Sequence, residues 1–183
     1  FTSKLHFLIS IFYLSLQTNY KQKRKMSKGF FNVPIASCEP IKSYAAGTSE
    51  KEEVLSEYNR MYNSHIDIPM YIGGEEVYTD DKRELCPPHD HKHVVGTSNY
   101  GGEKEVRMAI DAAMKAREKW SQMSWEHRAS IFLKAADLLA GPFRAKMNAA
   151  TMIAQSKNVF QAEIDAACEL IDFFKFNVQY MSQ

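Results

Sequence analysis

An α/β fold is predicted for this chain, with strands in its first half and helices in its second, and three observations predict it. Between Ile68 and Tyr100 β-prone residues are grouped around diglycine and diproline turns, the grammar of short strands. After Gly101 the apolar period changes to that of a helix and stays there. The closing stretch, Gln161–Asn177, places Ile164, Ala167, Cys168, Ile171, Phe174 and Val178 on one stripe. Asp165, Glu169 and Asp172 take the opposite side, where Phe173 and Phe176 flank Glu169. A helix apolar on two faces, with a carboxylate among aromatics, belongs inside a larger protein. Its run to Gln183 without a cap leads to the expectation of an N-terminal fragment, truncated within its domain.

Residues 1–25 form a leader. Leu5–Leu16 is apolar but shorter than the roughly 18 residues of a membrane span. Residues 1–38 contain no acid, while Lys21, Lys23, Arg24, Lys25 and Lys28 cluster. That composition fits an organelle transit peptide better than a secretory signal, although it is poor in arginine. Upstream sequence read through to a true start at Met26 fits equally well. The lysine cluster could also touch anionic lipid or RNA.

Residues 26–64 read as an extended arm, with Pro34, Pro40 and Gly47, and a short surface helix over Glu50–Tyr62. Val54, Leu55, Tyr58 and Met61 give that helix its apolar side. From residue 65 to 183 the pattern is that of one incomplete domain. Met70–Ile72 and Glu75–Tyr78 flank Gly73-Gly74 as a hairpin. Arg83–Cys86 and Val94–Tyr100 are further strands. Glu103–Trp120 is a helix with Val106, Ala109, Ile110, Ala113 and Met114 on its inner face. Ser124 caps the next helix, whose stripe is Ala129, Phe132, Leu133, Ala136 and Leu139, and Gly141-Pro142 ends it. Phe143–Gln155 is a third helix, and Val159–Gln183 is predicted as one long element.

Composition narrows the function classes. Hydrophobic residues make up 45% and charged ones 25%, the range of an ordinary globular domain. A net charge of +1 offers no global field for nucleic acid. Cys38, Cys86 and Cys168 lie at wide, unpatterned spacing, which argues for a reducing compartment. Cys168 sits on the inward stripe and reads as a packed small hydrophobe rather than a nucleophile. His89, His91 and His93 alternate, but no cysteine pair or second histidine cluster completes a zinc set, and Pro87-Pro88 marks a turn. Gly73-Gly74 and Gly101-Gly102 form neither G-x-G-x-x-G nor a P-loop. A non-catalytic helical interaction module therefore remains open on the residues alone.

Ile131–Met181, IFLKAADLLAGPFRAKMNAATMIAQSKNVFQAEIDAACELIDFFKFNVQYM, resembles the N-terminal part of the aldehyde dehydrogenase superfamily. VRMAIDAAMKAREKW and HRASIFLKAADLL carry the general resemblance. AGPFRAKMNAATMIAQSKNVFQAEIDAACELIDFFKFN, with YIGGEEVYT and PPHDHKHVVG, is similar to the branch acting on glutamate semialdehyde. The resemblance spans Phe30–Gln183 and implies leading strands and first helices of a Rossmann-like NAD-binding domain. It implies oxidation of the open-chain semialdehyde to glutamate with NAD in proline breakdown, by a homo-oligomer in the mitochondrial matrix. The family's oxyanion Asn, cofactor-binding residues, general base Glu and nucleophilic Cys have no counterparts in this stretch, so it should be inactive alone. One role carries over: Glu169, in AACELIDFF, matches the helix carboxylate that meets the substrate's amino group.

Overall fold

A computed structural model of the protein describes residues 31–183. The leader and the lysine cluster at 21–28 lie outside the described residues. From Phe31 the chain runs extended to Thr48, turning at Tyr44 (φ 51°) and Gly47 (φ 79°) into helix α1, Ser49–Tyr62. Val54 of α1 is buried with Tyr44 and Ala149, and Tyr58, Met61, Met152 and Val159 close around them. Leu55, predicted on the apolar side, is instead 45% exposed, because the face that meets the neighbouring helix is centred on Val54, Tyr58 and Met61.

Five short strands follow: β1 (Ile66–Ile68), β2 (Met70–Ile72), β3 (Glu75–Val77), β4 (Lys82–Leu85) and β5 (Gly96–Asn99). β2 and β3 form the predicted hairpin, with Met70 opposite Val77 and Ile72 opposite Glu75. Gly73 (φ 65°) and Gly74 (φ 93°) both take the left-handed conformation that a two-residue type I′ turn demands. The other sheet has the order β1-β5-β4, with β1 parallel and β4 antiparallel to β5. β1 was not separated from the hairpin by sequence pattern. It is three residues long and ends at Pro69, too short for alternation to register. Its register depends on Gly96, where an added Cβ would lie 2.2 Å from the Ile66 carbonyl oxygen. Asp67 ties the sheet together by accepting from Thr97 Oγ1 (2.9 Å), Asn99 Nδ2 (2.7 Å) and Lys82 Nζ.

Helix α2 (Glu103–Gln122) begins where the Gly102 N–H donates to Glu105 Oε2 (2.8 Å). Its predicted inner face is not buried: Val106, Ile110 and Met114 are each more than half exposed. The periodicity was sound, but nothing among the described residues covers that face. Ser124 caps α3 (Trp125–Ala140), accepting from the His127 N–H. α4 (Arg144–Gln155) ends at Ser156 in the left-handed region (φ 54°). Ala136 and Leu139 of α3 pack on Ile171 of the last helix, with Leu170, Phe174 and Met147 around them.

The last predicted element is three segments rather than one. α5 (Val159–Ala162) starts with a reciprocal cap between Asn158 and Gln161. A π-helical turn, Glu163–Cys168, follows, and then α6, Glu169–Ser182. The π turn accommodates one extra residue, which rotates everything before it by about 100° relative to α6. Ile164, predicted on the inner stripe, therefore turns outward to 39% exposure, and Glu163 takes its place at 0%.

Candidate functional site

Glu163 is an acid in the core, and its surroundings explain how it stays there. Its Oε1 accepts from the Lys42 N–H (2.9 Å) and from Arg144, while Oε2 accepts from Tyr44 Oη (2.6 Å), Asn148 Nδ2 (2.8 Å) and Arg144 Nε (3.2 Å). Arg144, itself 3% exposed, reaches on to Glu39 Oε1 (2.6 Å) and the Pro40 carbonyl (2.7 Å). Lys175 of α6 binds the other Glu39 oxygen at 2.7 Å. The cluster thus joins the arm, α4, the π turn and α6.

Burial alone would push the Glu163 carboxyl up, but donation from Arg144, Tyr44, the Lys42 amide and Asn148 outweighs it and brings the group down to about 2. The same burial, with the Glu163 charge beside it, raises the Tyr44 phenol. Burial opposes the charged form of Glu39, yet Lys175 and Arg144 hold its carboxyl below the usual range. An ion pair so fully hydrogen-bonded is costly to break from one side, because the remaining charge is stranded.

Cys168, on the same turn, has its thiol pushed up to about 11, first by burial and then by the Glu163 charge. A reactive thiol needs the opposite shift, so the packing role predicted for it is the one its surroundings favour.

Glu169 opens α6 on the side away from this cluster. Its backbone N–H donates to the Ile164 carbonyl, five residues back, and so closes the π turn. Its side chain is exposed, on the same helical side as Phe173 (47% exposed) and Tyr180 (60%), with Phe176 half-buried between turns. Asp172, predicted beside Glu169, is diverted: its Oδ1 accepts from the Glu39 N–H at 2.7 Å. Asp165 pairs with Lys157 at 2.6 Å. Of the three predicted acids, Glu169 alone has no ion pair or hydrogen bond from its side chain among the described residues.

The histidines lie on a turn, not a strand, and are used locally. His89 Nδ1 meets Ser156 Oγ at 2.7 Å, and His93 Nε2 meets the Tyr62 carbonyl at 2.5 Å. Tyr62 stacks on His93 with centroids 4.2 Å apart and donates its hydroxyl to Asp90 (2.9 Å). The two rings fasten residues 87–93 to the ends of α1 and α4.

The Glu163 cluster was missed because a 3.6-residue period assigns Glu163 to the outside. A signal existed in α4, where Arg144, Asn148 and Thr151 repeat at i, i+4, i+7 and are all buried. Polar residues at helical spacing on the inward face of an otherwise apolar helix call for a buried partner.

Comparison with known proteins matches residues 77–183 to the aldehyde dehydrogenase family. Among curated relatives, the delta-1-pyrroline-5-carboxylate dehydrogenase of Agaricus bisporus is 42% identical over 84% of this chain and 28% of its own length. The mitochondrial delta-1-pyrroline-5-carboxylate dehydrogenase of Rattus norvegicus is 44% identical over 78% of this chain and 25% of its own length. Among solved structures, the delta-pyrroline-5-carboxylate dehydrogenase of Mycobacterium tuberculosis bound with NAD superposes with a TM-score of 0.83 at 40% identity, over 85% of this chain and 29% of that one. The chain therefore spans under a third of the length of the relatives it matches. It belongs to the aldehyde dehydrogenase family.

Proposed function

We propose that this aldehyde dehydrogenase chain is the N-terminal portion of an enzyme that oxidises L-glutamate 5-semialdehyde, the open form of 1-pyrroline-5-carboxylate, to L-glutamate in proline degradation. The observation that carries the reading is its 42–44% identity, along most of its described length, to relatives named for that activity. NAD as the oxidant is supported by the NAD-bound structural neighbour. Gly73-Gly74 closes a hairpin and Gly101-Gly102 leads into α2, so neither diglycine is proposed to hold it. Binding and chemistry of the nicotinamide are thus assigned to the remainder of the enzyme. The relatives' mitochondrial names support a matrix location, with residues 1–25 as a leader, cleaved or untranslated, ahead of the arm and helix of 26–64. A homo-oligomer is the proposed assembly, and the exposed Val106, Ile110 and Met114 of α2 are proposed to pack on the rest of the 65–183 domain.

Within this chain the substrate contact is Glu169. Its carboxylate stands on an aromatic-lined helical face, and it accepts hydrogen bonds from the ammonium group of the semialdehyde. Closure of the full site over Phe173 and Phe176 excludes water and strengthens that contact. A charged hydrogen bond of this kind contributes about 1.5–3 kcal/mol. In the full-length enzyme, Glu169→Ala should weaken semialdehyde affinity by roughly 10- to 100-fold. An aldehyde without an amino group should lose far less. NADH formation with both substrates reads the difference, and equal losses would make Glu169 a structural residue.

A further inference from the structure

The π turn and Glu169 are joined covalently and by a hydrogen bond, and the turn is held by Glu163. We propose that Glu163 is a positioning residue, which anchors the π turn in the core and thereby sets the direction in which Glu169 presents its carboxylate. This inference rests on the substrate role proposed for Glu169.

Three observations carry it. The amide of Glu169 donates to the Ile164 carbonyl, so the residue that would hold substrate also closes the π turn. A π turn is strained relative to an α-helix and persists where its surroundings over-determine it. Here the over-determining group is the Glu163 carboxylate, fixed by Lys42 N–H, Tyr44, Asn148 and Arg144. Asn148 commits its amide nitrogen to both Tyr44 and Glu163 and leaves its own buried Oδ1 without a partner among the described residues. Without that carboxylate, Ile164 is the better residue for the inward position, and an ordinary helical register would bury it. The return to that register rewinds the π turn as α-helix, turns α5 against α6 by about 100° and exchanges the bond from the Glu169 amide for one to Asp165. Because α6 is keyed to α3 through Ile171, the adjustment falls at the junction, where Glu169 stands.

The test is a double-mutant cycle in the full-length enzyme, with KM and kcat measured for L-glutamate semialdehyde and for an aldehyde of equal length lacking the amino group. Glu163→Gln keeps the shape and removes the charge. It should raise KM for the semialdehyde about fivefold, lower the semialdehyde-to-amino-free selectivity, and add nothing once Glu169→Ala is present. Tyr44→Phe, which removes one donor and leaves the Arg144 pair, should shift selectivity the same way by less, and serves if Glu163→Gln does not fold. Losses equal on both aldehydes, or additive with Glu169→Ala, would overturn the positioning role while leaving Glu169 as a contact. If Glu169→Ala itself shows no selectivity, the substrate reading fails first and the positioning role falls with it.

Discussion

Around Glu163 the arm, α4, the π turn and α6 converge on one buried carboxylate, whereas α2 buries none of its residues and leaves Val106, Ile110 and Met114 in water. Both regions have good helical periodicity, so secondary structure is not what separates them. In the helical cluster the buried charges are paired, and Tyr44 packs with the apolar Val54 and Ala149 beside them. The strands and α2 are held by hydrogen bonds and exposed ion pairs, such as Arg107–Glu103, whose side chains are 73% and 78% exposed. A helix face finds its stabilisation only when its partner is present, and breaking a buried charge pair from one side costs far more than breaking an exposed one.

The contrast can be broken most directly at its buried end. Glu163→Ala in the full-length protein leaves the Arg144 guanidinium with Glu39 alone and strips the Lys42 amide, Tyr44 and Asn148 of their common acceptor, and should cost about 3–5 kcal/mol by denaturant unfolding. Acid reads the same charge without mutation. The Glu163 carboxyl is held at about 2 against an ordinary 4.5, so its stabilisation is fully present above pH 4.5 and is lost as pH falls toward 2. Stability should drop through that window, and Glu163→Gln should flatten the drop. Gly96→Ala probes the strand region, where a Cβ 2.2 Å from the Ile66 oxygen forces β1 away from β5. A loss of about 1–3 kcal/mol, seen as a lowered Tm, is expected. Smallest is Arg107→Ala on α2, for which the change should stay under about 0.5 kcal/mol. A large effect there would show that α2 draws on its surface charges far more than exposure suggests.

The elements were legible from local chemistry. Gly73-Gly74 demanded a type I′ turn, Ser124 a cap, and Gly141-Pro142 a stop, and each is used so. The family resemblance, read from Ile131–Met181, agrees with the match over residues 77–183. Less was legible at the candidate site. Glu169 was singled out and does stand exposed at the head of α6, but the acids predicted beside it are occupied: Asp172 by the Glu39 amide and Asp165 by Lys157. The Glu39 amide stands 133 positions from Asp172, so no local pattern foretells that bond, whereas Lys157 lies 8 positions before Asp165 across the break ahead of α5.

Glycine, proline and capping residues act within a few positions of themselves, which is why the hairpin turn and the limits of the helices capped by Ser124 and stopped by Gly141-Pro142 follow from the order of amino acids. Apolar periodicity likewise marks which residues of α3 meet Ile171. The π turn is of another kind. A uniform helical period buries Ile164 and exposes Glu163, and only the convergence of Arg144, Asn148, Tyr44 and the Lys42 amide reverses that choice. Those groups stand 15 to 121 positions away in the chain. Their joint attraction exceeds the cost of burying a carboxylate, and it is a property of packed elements rather than of any one of them.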